Sequence, residues 1–125
     1  MVRGIGVDII EIDRIQHSIE SIGDAFLAKV FTPTEVVYCN GKARRYQHFA
    51  ARFAAKEALS KALSTGWAGE FRWKDVEVTN DTSGQPRISL HGTLRERLAG
   101  AIVMLSMSHS ESHVVAMVII EDGRE

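Results

Sequence analysis

The chain is poor in cysteine and proline, with one cysteine (Cys39) and two prolines in 125 residues. A single thiol cannot close an internal disulfide, and it excludes zinc or iron–sulfur centres built on several cysteines. A reducing, cytoplasmic location is therefore expected. There is no run of about 18 apolar residues, so no membrane span is expected, and residues 1–10 lack the features of a signal peptide. An excess of charge of one sign is also missing. Fifteen basic and 16 acidic side chains leave a net charge of −1, which argues against nucleic acid as the partner. Neither G-x-x-x-x-G-K-[ST] nor G-x-G-x-x-G occurs, so P-loop and Rossmann sites are excluded. No G-x-S-x-G elbow is present to make His109 part of a hydrolase triad.

What is present fits one domain over residues 1–125, with 45% apolar and 25% charged residues around a single core. The charge is unevenly spread. Between positions 42 and 61, Lys42, Arg44, Arg45, Arg52, Lys56 and Lys61 are opposed only by Glu57. A basic patch on a near-neutral protein suits a small polyanion or an acidic protein partner.

Residues 3–9 alternate as a strand, with Ile5, Val7 and Ile9 on one face and Gly4, Gly6 and Asp8 on the other. The glycine face is bare, which permits close approach by a ligand or another backbone. Ile12, Ile15, Ile19 and Ile22 then recur at helical spacing, with Asp8 and Glu11 placed as a capping box and Gly23 as the stop. A short helix around 25–30 follows. Thr32-Pro33-Thr34-Glu35 starts a further helix running to about Asn40. A central helix is expected from about Arg44 to Ser64, ending near Gly66. Strands follow at about 72–79 and 86–90, then a short helix capped at Thr93, then a hairpin of strands at about 102–107 and 113–120. Helices grouped first and mostly antiparallel strands later make an α+β fold.

The central helix is apolar on all sides, which marks it as buried. Lys56, Glu57 and Lys61 therefore need partners, because an unpaired buried charge costs several kcal/mol, in round terms ~3–5. Spacing leaves two readings for Glu57 and Lys61, an i,i+4 ion pair or a ligand site beside the neighbouring small residues. Asp8 is likewise either a helix cap or a metal-binding carboxylate at a strand end. Asp8 and Glu57 together would suit Mg²⁺, which takes one or two carboxylates and fills its octahedron with water and phosphate oxygens. The segment Ser108-His109-Ser110-Glu111-Ser112-His113 is either a polar turn or a cluster of phosphate donors. Arg14, His17 and Lys29 form a solvated face or dock an acidic helix.

Gly6-Val7-Asp8-Ile9-Ile10-Glu11 resembles the first signature of the holo-acyl-carrier-protein synthases. Arg52-Phe53-Ala54-Ala55-Lys56-Glu57-Ala58-Leu59-Ser60-Lys61-Ala62 resembles their second, the F-x-x-K-E-A-x-x-K-A core of the phosphopantetheinyl transferase superfamily. Ser106-Met107-Ser108-His109-Ser110 is similar to their S-x-[ST]-H-[ST] segment. The match runs in order over essentially the whole chain. Ser64-Thr65-Gly66 departs from the Gly-Thr-Gly of many relatives at the nucleotide-binding turn.

The resemblance implies transfer of 4′-phosphopantetheine from coenzyme A to a serine of an apo acyl carrier protein, releasing adenosine 3′,5′-bisphosphate for the benefit of fatty-acid or polyketide synthesis. It implies a compact transferase fold with a long central helix, assembled as a homotrimer with coenzyme A between subunits. On this reading Asp8 and Glu57 hold Mg²⁺, with Mn²⁺ as an alternative. Glu57 is the candidate base, and Lys61 acts on the leaving phosphate. Arg52, Lys61, Gly66, Ser108, His109 and Ser110 bind the donor. Arg14 meets the carrier, with His17, Arg44 and Arg45 as weaker candidates. A non-catalytic coenzyme A module and a purely structural trimer are the competing classes.

Overall fold

The computed structural model describes residues 1–63 and 71–123. Strand β1 (Val2–Glu11) leads directly into α1 (Ile12–Ile22), followed by α2 (Asp24–Val30), α3 (Pro33–Asn40) and the 19-residue α4 (Arg45–Leu63). A 3₁₀ turn at Trp73–Asp75 precedes β2 (Val76–Asn80) and β3 (Pro86–Leu90). Helix α5 (Gly92–Arg97) and the hairpin of β4 (Ile102–His109) and β5 (His113–Glu121) follow. One antiparallel sheet has the order β1-β5-β4, and β2 and β3 form a second, two-stranded sheet. The α+β expectation and nearly all its element positions hold.

Several helix boundaries follow from local chemistry. Gly23, at φ +73°, ends α1 and turns the chain into α2. Thr32 and Glu35 form the expected capping box around Pro33. Two other expected caps are corrected. The N-cap of α1 is Glu11 without a side-chain bond, because Asp8 still lies inside β1 and points toward α4. Thr93 lies inside α5, whose N-cap is His91; Gly92, at φ +60°, makes the turn. The expected end of α4 near Gly66 lies outside the described residues.

The bare face of β1 packs on another backbone. A Cβ on Gly4 would overlap the carbonyl of Ala62, and one on Gly6 the carbonyl of Ala58. Two strand residues rise about 6.6 Å and four helix residues about 6 Å, so alternate glycines match successive turns of the alanine stripe. Ala50, Ala54, Ala58 and Ala62 are all buried. Phe31, Phe49, Leu59, Val76, Val78, Val114 and Val118 fill the core around them. The opposite face of β1 stays outside: Ile5, Val7 and Ile9 are 62%, 55% and 67% exposed. Within the α1 stripe, Ile15 and Ile19 are buried, whereas Ile22 is exposed.

Lys56 and Glu35 are both 0% exposed and meet at 2.6 Å. The Lys56 ammonium also donates to the carbonyls of Val30 at 2.7 Å and Trp73 at 3.2 Å. Glu35 accepts from the backbone N–H of Thr32 and of Val78, each at 2.9 Å. Every hydrogen of this ammonium therefore has an acceptor, which makes the buried charge tolerable. The pair also corrects the basic patch read from the sequence. Lys56 is spent in the core, and Arg52 is 2% exposed, so the six cations do not share one surface.

Candidate active site

Asp8 follows Gly4 and Gly6 on the face of β1 turned to α4, and so arrives beside the last turns of that helix. Its Oδ1 accepts from Lys61 Nζ at 3.0 Å, and the same ammonium donates to the carbonyl of Val7 at 3.1 Å. The i,i+4 reading of Lys61 is thereby replaced, since its carboxylate partner is Asp8.

Glu57 shares a cleft of about 290 Å³ with Asp8, Ile10, Arg14, Phe26 and Phe53. Burial holds the Glu57 carboxyl above the usual range, the charge of Asp8 raises it further, and Lys61 offsets part of the rise. A carboxylate pair in which the charge of Asp8 disfavours the ionisation of Glu57 is a cation-seeking pair. No group of three or more His, Cys, Asp or Glu occurs among the described residues. Two are enough for magnesium, whose remaining positions go to water and phosphate oxygens, so the donor set fits that ion.

A second cleft, of about 240 Å³, brings together Tyr38, His48, Arg52, Asn80, Ser108 and His109. Arg52 donates to Asn80 Oδ1 at 2.8 Å and lies 4.2 Å over the Tyr38 ring, while its Nε is buried with no partner among the described residues. Arg52, Ser108 and His109, picked from distant segments of sequence, thus converge. Ser110 is partly committed elsewhere. Its Oγ accepts from the N–H groups of Ser112 and His113 and closes the β4–β5 turn. It also borders a shallow groove with Ile9, Ser108 and His109. Gly66 lies outside the described residues.

Among the expected partner-binding residues, Arg14 is exposed and lines the carboxylate cleft. His17 is exposed on α1 and does not line it. Arg44 and Arg45 border a separate groove with Ile12 and Glu111, where Arg45 is already bonded to Asn40 and Tyr46. Sequence reasoning missed Phe26, Phe53, Tyr38, His48 and Asn80 as wall residues. Phe53 carried a signal as the first residue of the F-x-x-K-E-A motif, and Asn80 as the last strand residue before a polar turn.

Residues 4–118 match the model of the 4′-phosphopantetheinyl transferase superfamily. The chain is 46% identical over 125 residues to a holo-[acyl-carrier-protein] synthase from Koribacter versatilis, covering 98% of this chain and 100% of that one. Among solved structures it is similar to the holo-(acyl-carrier-protein) synthase of Bacillus anthracis in complex with CoA (3′,5′-ADP), at TM-score 0.81 and 38% identity, covering 98% and 99%. The holo-[acyl-carrier-protein] synthase of Neisseria meningitidis superimposes at TM-score 0.87 and 34% identity, covering 98% and 100%.

Proposed function

Because the chain belongs to the 4′-phosphopantetheinyl transferase superfamily as a holo-[acyl-carrier-protein] synthase, we propose how its residues divide the work of that reaction. The enzyme transfers 4′-phosphopantetheine from coenzyme A to a serine of apo acyl carrier protein in fatty-acid biosynthesis. The serine oxygen forms the new bond to phosphorus, and adenosine 3′,5′-bisphosphate leaves.

Asp8 and Glu57 hold Mg²⁺, or Mn²⁺ in its place. The bound ion supplies charge neutralisation for the pyrophosphate under attack. The rest falls to the protein. A serine hydroxyl is a poor nucleophile until its proton is taken, and Glu57, whose pKa is raised by burial and by the charge of Asp8, is suited to accept it. Lys61 donates to the oxygen charge that grows on the leaving phosphate. Arg52, Ser108 and His109 hold the adenosine end of the donor and its 3′-phosphate. Arg14, on the rim of the carboxylate cleft, faces the acidic carrier and brings its serine to the reacting atoms.

The exposed Ile5, Val7 and Ile9, continued by the exposed Met104 and Met117, form an apolar sheet face of the kind that marks a protein–protein interface. A homotrimer covers it. The groove of Ile9, Ser108 and His109 lies at the border of that face, so a neighbouring copy would complete the donor site. In the described residues no helix is long and apolar enough to cross a membrane.

The observation that carries this reading is the convergence of Asp8, Glu57 and Arg14 on one cleft beside Lys61. Incubation with coenzyme A, Mg²⁺ and apo acyl carrier protein, followed by mass spectrometry of the carrier, tests it. Gain of one phosphopantetheine group that stops on chelation of the metal is expected. Nucleotide binding with no change in carrier mass would leave only a coenzyme A-binding module.

A further inference from the structure

Two cations and one imidazole gather around the ring of Tyr38, a wall residue of the second cleft. Arg52 lies over it at 4.2 Å, Lys42 lies over it at 4.8 Å, and His48 meets it edge-on at 5.8 Å between ring centroids. Across the cleft stands His109, at the end of β4. The remaining polar walls, Gln47, Asn80 and Ser108, carry no charge, and no carboxylate is found among the described lining residues. The Arg52 guanidinium has given up almost all contact with water, yet it has no carboxylate within ion-pairing distance among the described residues. Such a cleft is short of negative charge.

Within it, burial keeps the His48 imidazole below its usual pKa, and Arg52, Lys42 and His109 push it down in that order. Nothing acidic faces His48 from α3, α4 or β4 to hold a proton on it. A phosphate monoester is dianionic above about pH 6. Two negative charges arriving within hydrogen-bond reach reverse the local field, and an opposite charge that close raises a pKa by roughly 1–3 units.

We propose that His48 is a donor-binding residue that takes up a proton from solvent as the 3′-phosphate of coenzyme A enters, and then donates a hydrogen bond to it. This rests on the assignment of the cleft of Arg52, Ser108 and His109 to that phosphate. The device favours a doubly charged phosphate monoester over a donor lacking it, because only the dianion stabilises the imidazolium.

The test is titration calorimetry with magnesium present, at about pH 7.5 where the monoester carries no proton of its own. Running it in buffers of different ionisation enthalpy measures protons taken up per ligand bound. Coenzyme A and dephospho-coenzyme A are compared on the wild type and on His48→Gln, His48→Phe and His109→Gln. His48→Phe keeps a ring against Tyr38 and controls for lost packing. Coenzyme A should bind more tightly than dephospho-coenzyme A and take up roughly half a proton or more in excess of it. Both His48 variants should abolish that excess, and His109→Gln should keep it. The wild-type Kd for coenzyme A should weaken about threefold or more from pH 7 to 8, the slope that roughly half a proton per ligand dictates, and stay flat in the His48 variants. Excess uptake that persists without His48, or is lost only in His109→Gln, overturns the role of His48 while the cleft assignment stands. Equal affinity for the two ligands overturns the cleft assignment itself. No excess uptake by the wild type, with coenzyme A still preferred, refutes the proton linkage alone.

Discussion

Gly6 lies directly against the carbonyl oxygen of Ala58, so that strand β1 and helix α4 touch backbone to backbone. Glu57 immediately precedes that alanine and Asp8 lies two residues beyond that glycine. One close approach thereby sets the distance between the two carboxylates.

Gly6→Ala should accordingly fail on both counts. The added methyl has only backbone to push against, so the strand and helix must separate. A destabilisation of about 3 kcal/mol or more is expected, at the upper end for overpacked cores. Turnover should fall further than the folded fraction does. Urea denaturation and activity on the same preparation check this, and normal activity in a merely less stable variant would detach the carboxylates from this contact.

Glu57 should show its cost in stability. Its folded pKa is raised by burial and by Asp8. A carboxyl shifted that way contributes stability at low pH that is lost as pH rises through the folded value. Metal-free Glu57→Gln should therefore melt above the wild type near pH 7 and alongside it near pH 4, approximate limits set by the ordinary carboxylate range. The same variant, and Asp8→Asn, should each cut turnover by at least ~10²-fold, since metal stabilisation is worth several kcal/mol. Melting scans at the two pH values, beside turnover against magnesium concentration, separate charge from packing.

Much of this was legible in the sequence because the signals are local. Thr32, Pro33 and Glu35 mark a helix start through atoms three residues apart, and Gly23 marks a stop through its own φ. The alternation of Ile5, Val7 and Ile9 is equally plain, but periodicity says which residues share a face and not which face meets the core. The glycines, being smaller, won the helix. Asp8 was ambiguous for a related reason, as a cap and a strand-end ligand look alike until the strand's length is known. Lys56 was recognisably in need of a partner, yet Glu35 lies 21 residues away in a capping box that already explained it. That a glutamate can cap a helix with one oxygen and hold a β2 amide with the other is a tertiary fact.

The Lys56–Glu35 pair gives a second stability test. Lys56→Met leaves the buried Glu35 carboxylate without its cation and the carbonyls of Val30 and Trp73 without their donor, and should cost roughly 3–5 kcal/mol. Glu35→Gln keeps the shape but strands the ammonium, at a comparable cost. Combined, the two should cost clearly less than their sum, because neither charge is then left alone. A denaturant-based double-mutant cycle measures the coupling, and strict additivity would show that the pair acts only through its backbone bonds.

Val7 is more than half exposed in the single chain, so Val7→Glu should leave the subunit folded. A charge placed at the centre of an apolar interface is left without solvent or partner. The variant should sediment as a monomer and lose at least ~10-fold in kcat/KM for coenzyme A, about 1.4 kcal/mol. A monomer with full activity would show that each subunit holds a complete donor site.

Arg14 offers the sharpest test of carrier docking. It lies one position before the buried Ile15, so its side chain leaves the packed face of α1 and reaches the rim of the cleft that holds Asp8 and Glu57. A cation there attracts an acidic partner from a distance and places the partner's serine beside the carboxylates. Rim charges act mainly on encounter, and ions screen them over about 10 Å at 0.1 M salt. Arg14→Glu should raise the carrier KM about tenfold at low salt and flatten its dependence on salt, because the attraction that salt would screen has gone. Coenzyme A binding should be unaffected, since the cleft proposed for the donor's adenosine end is the other one. Carrier kinetics measured across a salt series decide the matter. A KM that matches the wild type throughout would move the docking surface to the groove of Arg44 and Arg45, where Arg44→Glu would then be expected to show the lost salt dependence.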